Sequence, residues 1–238
     1  MKKLFVNGCS FSRGPGSWPY HLQNNINYQL TNHAVAGAGN TYIRQTTINQ
    51  LLNNSYDLVI IMWSGLERID IQVDDINKFD TPYTSFYQSQ QNDWPEKIVS
   101  PINDQDSVQK DWVLGCGFVN NDTFLKNTDM FKGLYKHQGL KQHVMRSITD
   151  MICLQGFLHD YKVPYIFTFY QNYLELLKQE APKHFEFLKL SNTFNDPNLY
   201  DITKKHQWFA DDGLHPSIIA HQHWAKDLTN WMYQNNYV

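Results

Sequence analysis

Cysteine is scarce in this chain. Its 238 residues include three, Cys9, Cys116 and Cys153, with no CxxC pair, so neither a zinc finger nor a disulfide framework is encoded. Positive charge is not in excess either. Against 20 Lys and Arg stand 23 Asp and Glu, a formal net charge of −3. Nucleic acid is therefore not an expected partner, because neutralising phosphates takes clustered cations. No apolar run approaches the roughly 20 residues that span a bilayer. Asn7 and Gly8 interrupt the first apolar stretch before it reaches the length of a signal peptide. A soluble, cytoplasmic protein is expected on those grounds. Phosphate loops are missing too: "GAGNTY" (Gly37 to Tyr42) lacks the third glycine of a dinucleotide fingerprint, and no Walker lysine follows a glycine loop. No metal or organic cofactor is expected.

Apolar and aromatic residues are plentiful, at 42% and 15%, enough for a substantial core. Leu4, Phe5 and Val6 read as a first buried strand, and Trp18 to Asn25 as a short helix. "YQLTNHAVAG" offers a second strand ending at Gly37. A helix follows, with Asn40 or Thr41 as its N-cap and Ile43, Ile48, Leu51 and Leu52 at near-helical spacing. "DLVIIMW" (Asp57 to Trp63) is an unbroken apolar run, the mark of a strand buried on both faces of a parallel sheet. The stretch from about 70 to 140 reads as an irregular insertion, rich in Asp, Asn, Gln and Ser and carrying Pro82, Pro95 and Pro101. A helix over His143 to Tyr161, a strand over Val163 to Tyr170 and a last helix from Pro216 complete the reading. Strands alternating with helices predict an α/β fold: a three-layer αβα sandwich around a doubly wound parallel sheet, as one domain over residues 1–238.

Ligands of such sheets sit outside the carboxyl ends of the strands. Three loops follow predicted strands at that edge: Gly8 to Ser12, Gly37 to Asn40, and Ser64 to Arg68. Ser10 in the first could cap the next segment or act as a nucleophile. A serine hydroxyl attacks a carbonyl only when a base removes its proton and a third group orients that base. Near the other end, "DDGLHPS" places Asp212 three residues before His215, with Pro216 holding the histidine at a stiff junction. Taken singly, Asp212 could serve a helix dipole and His215 nothing at all. His221 and His223, two apart on a helix, read as surface residues.

Together these blocks resemble the SGNH hydrolases, the GDSL-type esterase and lipase superfamily. The family's Gly-Asp-Ser-x-Ser is matched by Gly8-Cys9-Ser10-Phe11-Ser12, with Cys9 in place of a non-catalytic Asp. Its Asn followed five residues later by Gly is matched by Asn32 and Gly37, and its Asp-x-x-His by Asp212 and His215. The resemblance implies a flavodoxin-like SGNH fold, a Ser10–His215–Asp212 triad, and oxyanion donors at the Ser10 and Gly37 N–H groups. The third block, Gly-x-Asn-Asp, departs: Ser64, Leu66 and Glu67 stand at its Gly, Asn and Asp. Leucine donates no hydrogen bond, so Asn40 is expected to supply the third oxyanion donor, ahead of Ser64 and Arg68.

The expected function is hydrolysis of a carboxylic ester. Trp18, Tyr83, Trp94 and Trp112 lie in or near the unassigned loops and favour a flat sugar ring. O-acetyl groups on a carbohydrate therefore come first as substrate, with Ser64, Arg68 and Trp18 as substrate contacts. Two alternatives stand beside it: a carbohydrate-binding protein that keeps the fold without turnover, and an acyltransferase.

Overall fold

The computed structural model describes residues 1–72, 112–115 and 137–238. Five strands form one parallel sheet in the order β2-β1-β3-β6-β7: β1 (Lys3–Asn7), β2 (Gln29–Asn32), β3 (Leu58–Trp63), β6 (Tyr165–Phe169) and β7 (Thr193–Phe194). Two further strands, β4 (Ile69–Gln72) and β5 (Trp112–Gly115), form a separate antiparallel ladder. The helices are α1 (Trp18–Ile26), α2 (Asn40–Asn53), α3 (Leu140–Asp160), α4 (Leu174–Glu180), α5 (Leu199–His206) and α6 (Ile218–Gln234), with a single helical turn at Pro182–Phe185 between α4 and β7.

Side chains of a strand alternate between faces, and the two cores follow that alternation. Phe5 of β1 and Val59, Ile61 and Trp63 of β3 pack beneath α2 and α3, against Tyr42, Ile43, Ile148 and Met151. Leu4 and Val6, with Leu58, Ile60 and Met62, pack beneath α1 and α6, against Trp18, Leu22, Trp224 and Leu228. All six residues of β3 are buried, as its unbroken apolar run predicts. The predicted doubly wound, three-layer α/β sandwich is the observed fold.

Some boundaries differ from the sequence reading, each for a local reason. β2 ends at Asn32, not Gly37. The Asn32 amide donates to the Ser12 carbonyl and accepts the Ala34 N–H, turning the chain there. The last helix starts at Ile218, with Ser217 as N-cap; Pro216 instead pairs with Phe209 in a short bridge. The insertion is regular where it is described, since β4 runs antiparallel to β5 with Asp70 opposite Leu114. Tyr83, Trp94 and most of the stretch from 70 to 140 lie outside the described residues. Among the described residues no helix is long and apolar enough to cross a membrane.

The topology fixes where a site can form. From β1 the chain passes to β2 on one side and to β3 on the other. That reversal opens a crevice at the carboxyl ends of the strands, and Ser10 lies just past the end of β1.

Candidate active site

The end of β1 is tied down by a buried asparagine. Asn7 donates through Nδ2 to the Ile43 carbonyl and the hydroxyls of Thr46 and Thr47 on α2, and accepts the Gly8 N–H. Gly8 is required there: a Cβ would lie 2.7 Å from Ser12 Oγ and 3.1 Å from the Met62 carbonyl. The chain then makes one 3-10 turn over Ser10–Ser12, with Cys9 at its N-cap. Ser10 therefore caps nothing. Ser12 is buried and accepts a hydrogen bond from Trp18 Nε1 at 3.0 Å. The two serines of the motif have parted: one is structural and the other faces the site.

Asp212 and His215 come from a tight loop. The Ala210 N–H donates to the His215 carbonyl and the Gly213 N–H to the Ala210 carbonyl, with Gly213 at φ +67°, the left-handed region that glycine enters freely. Asp212 Oδ1 accepts the N–H groups of Leu214 and His215, and Oδ2 lies 2.6 Å from His215 Nδ1. Burial pushes this carboxyl up, but the His215 and Leu214 N–H groups and the His215 ring outweigh it and hold Asp212 below the usual carboxylate range. The other imidazole nitrogen, Nε2, is 3.0 Å from Ser10 Oγ. A carboxylate on Nδ1 and a hydroxyl on Nε2 make the relay in which an imidazole can take a serine proton. Asp211 is exposed and takes no part in it.

The β2–α2 turn stands beside this relay. Gly37 has φ +82°, and the Val35 N–H reaches the Gly8 carbonyl at 3.1 Å, joining the turn to the end of β1. Helix α2 begins with Gly39 as N-cap. Neither Asn40 nor Thr41 caps it; the carboxylate of Asp70 does, accepting the N–H groups of Gly39 and Tyr42. Burial pushes the Asp70 carboxyl up to about 6, against those two N–H groups and the charges of Arg68 and Arg146.

Several expected site residues sit elsewhere. Asn40 is buried, and its amide is engaged at the end of β3: Oδ1 accepts the Ser64 N–H at 2.8 Å, while Nδ2 donates to Ser147 Oγ at 3.0 Å and to the Ser64 carbonyl. That corrects its expected place as an oxyanion donor. Ser64 and Trp18 are both 0% exposed, and Arg68 is 8% exposed with Nη1 on the Ala38 carbonyl. None of the three lines an open surface, so their reading as substrate contacts is corrected as well. Trp18 packs edge-on against Trp224, and Trp112 against Tyr42. Both are core residues. Leu66, at the third-block Asn position, is buried in the same cluster as Tyr42 and Trp112. His221 is buried rather than on the surface, whereas the half-exposed His223 pairs with Asp227.

An aromatic cluster that the sequence reading missed lies beside the relay. Phe11 packs on His215, with ring centroids 5.5 Å apart, and on Tyr170 at 4.6 Å. Tyr170 lies just past β6, near Tyr200 and Tyr173, and its hydroxyl is 2.7 Å from that of Tyr173. Burial pushes the Tyr170 phenol up to about 12 and that of Tyr173 higher, so both remain O–H groups. Tyr170 is the last residue of the strand predicted over Val163 to Tyr170, and a residue at a strand's carboxyl end is a usable signal. Tyr200 carries no such signal.

No family model matches the sequence, and no curated protein matches it. The fold, by contrast, is shared with solved structures. A psychrotrophic esterase from Pseudoalteromonas sp., solved inhibited by monoethylphosphonate, is 13% identical with a TM-score of 0.51 over 98% of this chain and 100% of its own. A GDSL-like lipase from Bacteroides thetaiotaomicron is 10% identical with a TM-score of 0.51, covering 98% and 88%. An acetyl xylan esterase from Butyrivibrio proteoclasticus is 12% identical with a TM-score of 0.50; all of this chain covers 65% of that one. The chain shares its fold with these esterase and GDSL-like lipase structures, and the Ser10–His215–Asp212 arrangement stands at the carboxyl edge of its sheet.

Proposed function

We propose that the protein is a serine esterase acting on carboxylic esters, with O-acetyl groups on a carbohydrate as its substrate class. The observation that carries the reading is the unbroken path from Asp212 Oδ2 through the His215 ring to Ser10 Oγ, with steps of 2.6 and 3.0 Å. In this mechanism Ser10 Oγ attacks the ester carbonyl carbon while His215 Nε2 takes its proton. The N–H groups of Ser10 and Gly37 receive the oxyanion. Collapse of the tetrahedral adduct breaks the bond to the alcohol, which leaves with the proton from His215. Water then attacks the acyl-serine with the same base, and Ser10 regains its proton as the acid departs. Asp212 keeps the imidazole in the tautomer with its proton on Nδ1 and stabilises the imidazolium between steps.

Two features favour water over a sugar hydroxyl as final acceptor, and a sugar over a fatty chain as substrate. The His215 and Asp212 side chains are 41% and 47% exposed, so water reaches the relay freely. Beside it the half-buried Tyr170, Tyr173 and Tyr200, the first and last packed on the buried Phe11, combine flat faces with the paired neutral hydroxyls of Tyr170 and Tyr173, the mixture that suits a sugar ring. The acetyl xylan esterase among the fold neighbours is consistent with that choice. A binding protein without turnover is the second reading. Its motive is the engagement of Asn40 and the burial of Leu66, which leave the oxyanion to backbone donors.

The test is treatment with a serine-directed fluorophosphonate, followed by peptide mass spectrometry and assays on an aryl acetate and on acetylated xylan. An esterase gives an adduct on Ser10 and releases acetate from both substrates. Binding of the glycan with neither adduct nor acetate would establish the second reading instead.

A further inference from the structure

The turn that carries Gly37 is gripped from outside by Asp70 of β4 and by Arg68, the residue just before that strand. The Ala38 carbonyl and the Gly39 N–H are the two ends of a single peptide unit. Arg68 Nη1 donates to that carbonyl at 3.0 Å, and Asp70 Oδ1 accepts that N–H at 2.8 Å. A planar peptide held at both ends cannot rotate about its flanking bonds. The neighbouring unit is held from within, by the Ala38 N–H on the Val35 carbonyl at 3.2 Å. Between these fixed planes and β1 lies Gly37, at φ +82°.

The approach is close enough to dictate sequence. A Cβ on Gly39 would fall 2.6 Å from Asp70 Oδ2 and 3.0 Å from Arg68 Cβ, so only glycine admits the grip. The gripping residues are themselves supported. Asp70 lies in β4, whose ladder with β5 fixes its backbone, and Arg146 of α3 donates to the Arg68 carbonyl at 2.7 Å. Arg68 closes the turn that leads into β4, with its N–H on the Gly65 carbonyl, and Asp70 follows one residue inside the strand. The second oxygen of Asp70 takes the Tyr42 N–H, which extends the hold into the first turn of α2.

We propose that Arg68 and Asp70 are positioning residues for oxyanion stabilisation: by clamping the Ala38–Gly39 peptide they fix the direction of the Gly37 N–H. The proposal rests on the esterase reading of Ser10. It gives the β4–β5 ladder a function, and it accounts for how a site with leucine at position 66 keeps an ordered oxyanion hole. A backbone donor contributes to the transition state only when it is already aimed at the developing charge.

The experiment compares the parent with Asp70→Ala, Asp70→Asn and Arg68→Met. Steady-state hydrolysis of an aryl acetate is measured alongside the rate of Ser10 phosphonylation by a fluorophosphonate. Both reactions place negative charge on an oxygen in the same hole. Asp70→Ala and Arg68→Met should lower kcat about tenfold or more with KM nearly unchanged, and slow phosphonylation in parallel. Asp70→Asn keeps an oxygen for the Gly39 N–H but turns an amide nitrogen to the Tyr42 N–H, so it should keep both rates above those of Asp70→Ala. Met232→Ala, a core truncation at the far end of α6, serves as a control for lost stability and should keep the parental kcat. Parental kcat and labelling in both Asp70→Ala and Arg68→Met would overturn the clamp while leaving the esterase reading intact. So would an equal loss in the Met232→Ala control. A parent that neither labels at Ser10 nor hydrolyses the ester would overturn the esterase reading and the clamp together. If Asp70→Ala does not fold, Arg68→Met and Asp70→Asn decide: the clamp then requires a kcat loss in the first and a smaller loss in the second.

Discussion

His215 Nε2 meets Ser10 Oγ at 3.0 Å across 205 residues of chain. No local propensity joins them; the sheet brings the end of its first strand to the loop before its last helix. The consequence is a sharp division between Ser10 and Ser12. Ser10→Ala should fold as the parent does and lose aryl acetate turnover by several orders of magnitude. Ser12→Ala should keep kcat within a few-fold. It removes the buried acceptor of Trp18 Nε1 and should cost about 1–3 kcal/mol of stability. Kinetics and denaturant midpoints on the two variants check this directly.

The two adjacent aspartates should behave oppositely. Asp212→Asn removes the anion beside His215 Nδ1 and favours the wrong tautomer, so kcat should fall about 10⁴-fold with the fold retained. Asp211→Asn should be silent. Equal sensitivity at both positions would show that loop geometry, rather than the Asp212 contact, sets the rate.

Asn40 is assigned to stability. Its amide ties the first turn of α2 to the Ser64 peptide and to Ser147 of α3. Asn40→Ala leaves a buried N–H at Ser64 without its acceptor, at a cost of about 1–3 kcal/mol. Thermal melting should register that loss while kcat on an aryl acetate changes by less than tenfold. A hundredfold fall in kcat at unchanged melting temperature would restore Asn40 as an oxyanion donor.

Acid should unfold the protein partly through His221. Burial, then the nearby His21 and His215, lower its pKa to about 3 in the folded state. The unfolded chain binds this proton near pH ~6.5. Between those values the unfolded state holds more protons, so the contribution of a neutral, buried His221 is present above about pH 6.5 and declines as pH falls towards 3. His221→Gln cannot titrate. The stability difference between parent and variant, followed by denaturant titration, should move against the parent over that interval and stay flat above it.

The paired phenols should affect substrate choice more than chemistry. Tyr170→Phe breaks the 2.7 Å contact with Tyr173 without touching the relay. On acetylated xylan KM should rise severalfold, while kinetics on a small aryl acetate stay near parental. An equal effect on both substrates would move the cluster from recognition to structure.

The sequence by itself determined the layers of this fold and named the Ser10, Asp212 and His215 side chains that the structure brings into contact. Six consecutive apolar residues at Leu58–Trp63 cannot be soluble on either face, so a doubly covered parallel strand was legible. Asp212-Gly213-Leu214-His215 is also local, because an Asx-type turn needs only its own four residues and a glycine at positive φ. The rest depended on distant contacts. A helix beginning with "GN" advertises an asparagine cap, yet α2 is capped by Asp70 from another strand, and Asn40 is turned to Ser64 and Ser147. Trp18 and Trp112 look like platforms for a ligand only until the packing of α1 on α6 and of Tyr42 on Trp112 buries them. Hydrophobic pattern and turn chemistry are written in neighbouring residues, so sequence carries them. Which polar group receives a particular hydrogen bond is decided by whatever the closed sheet brings within 3 Å, and that only the tertiary structure sets.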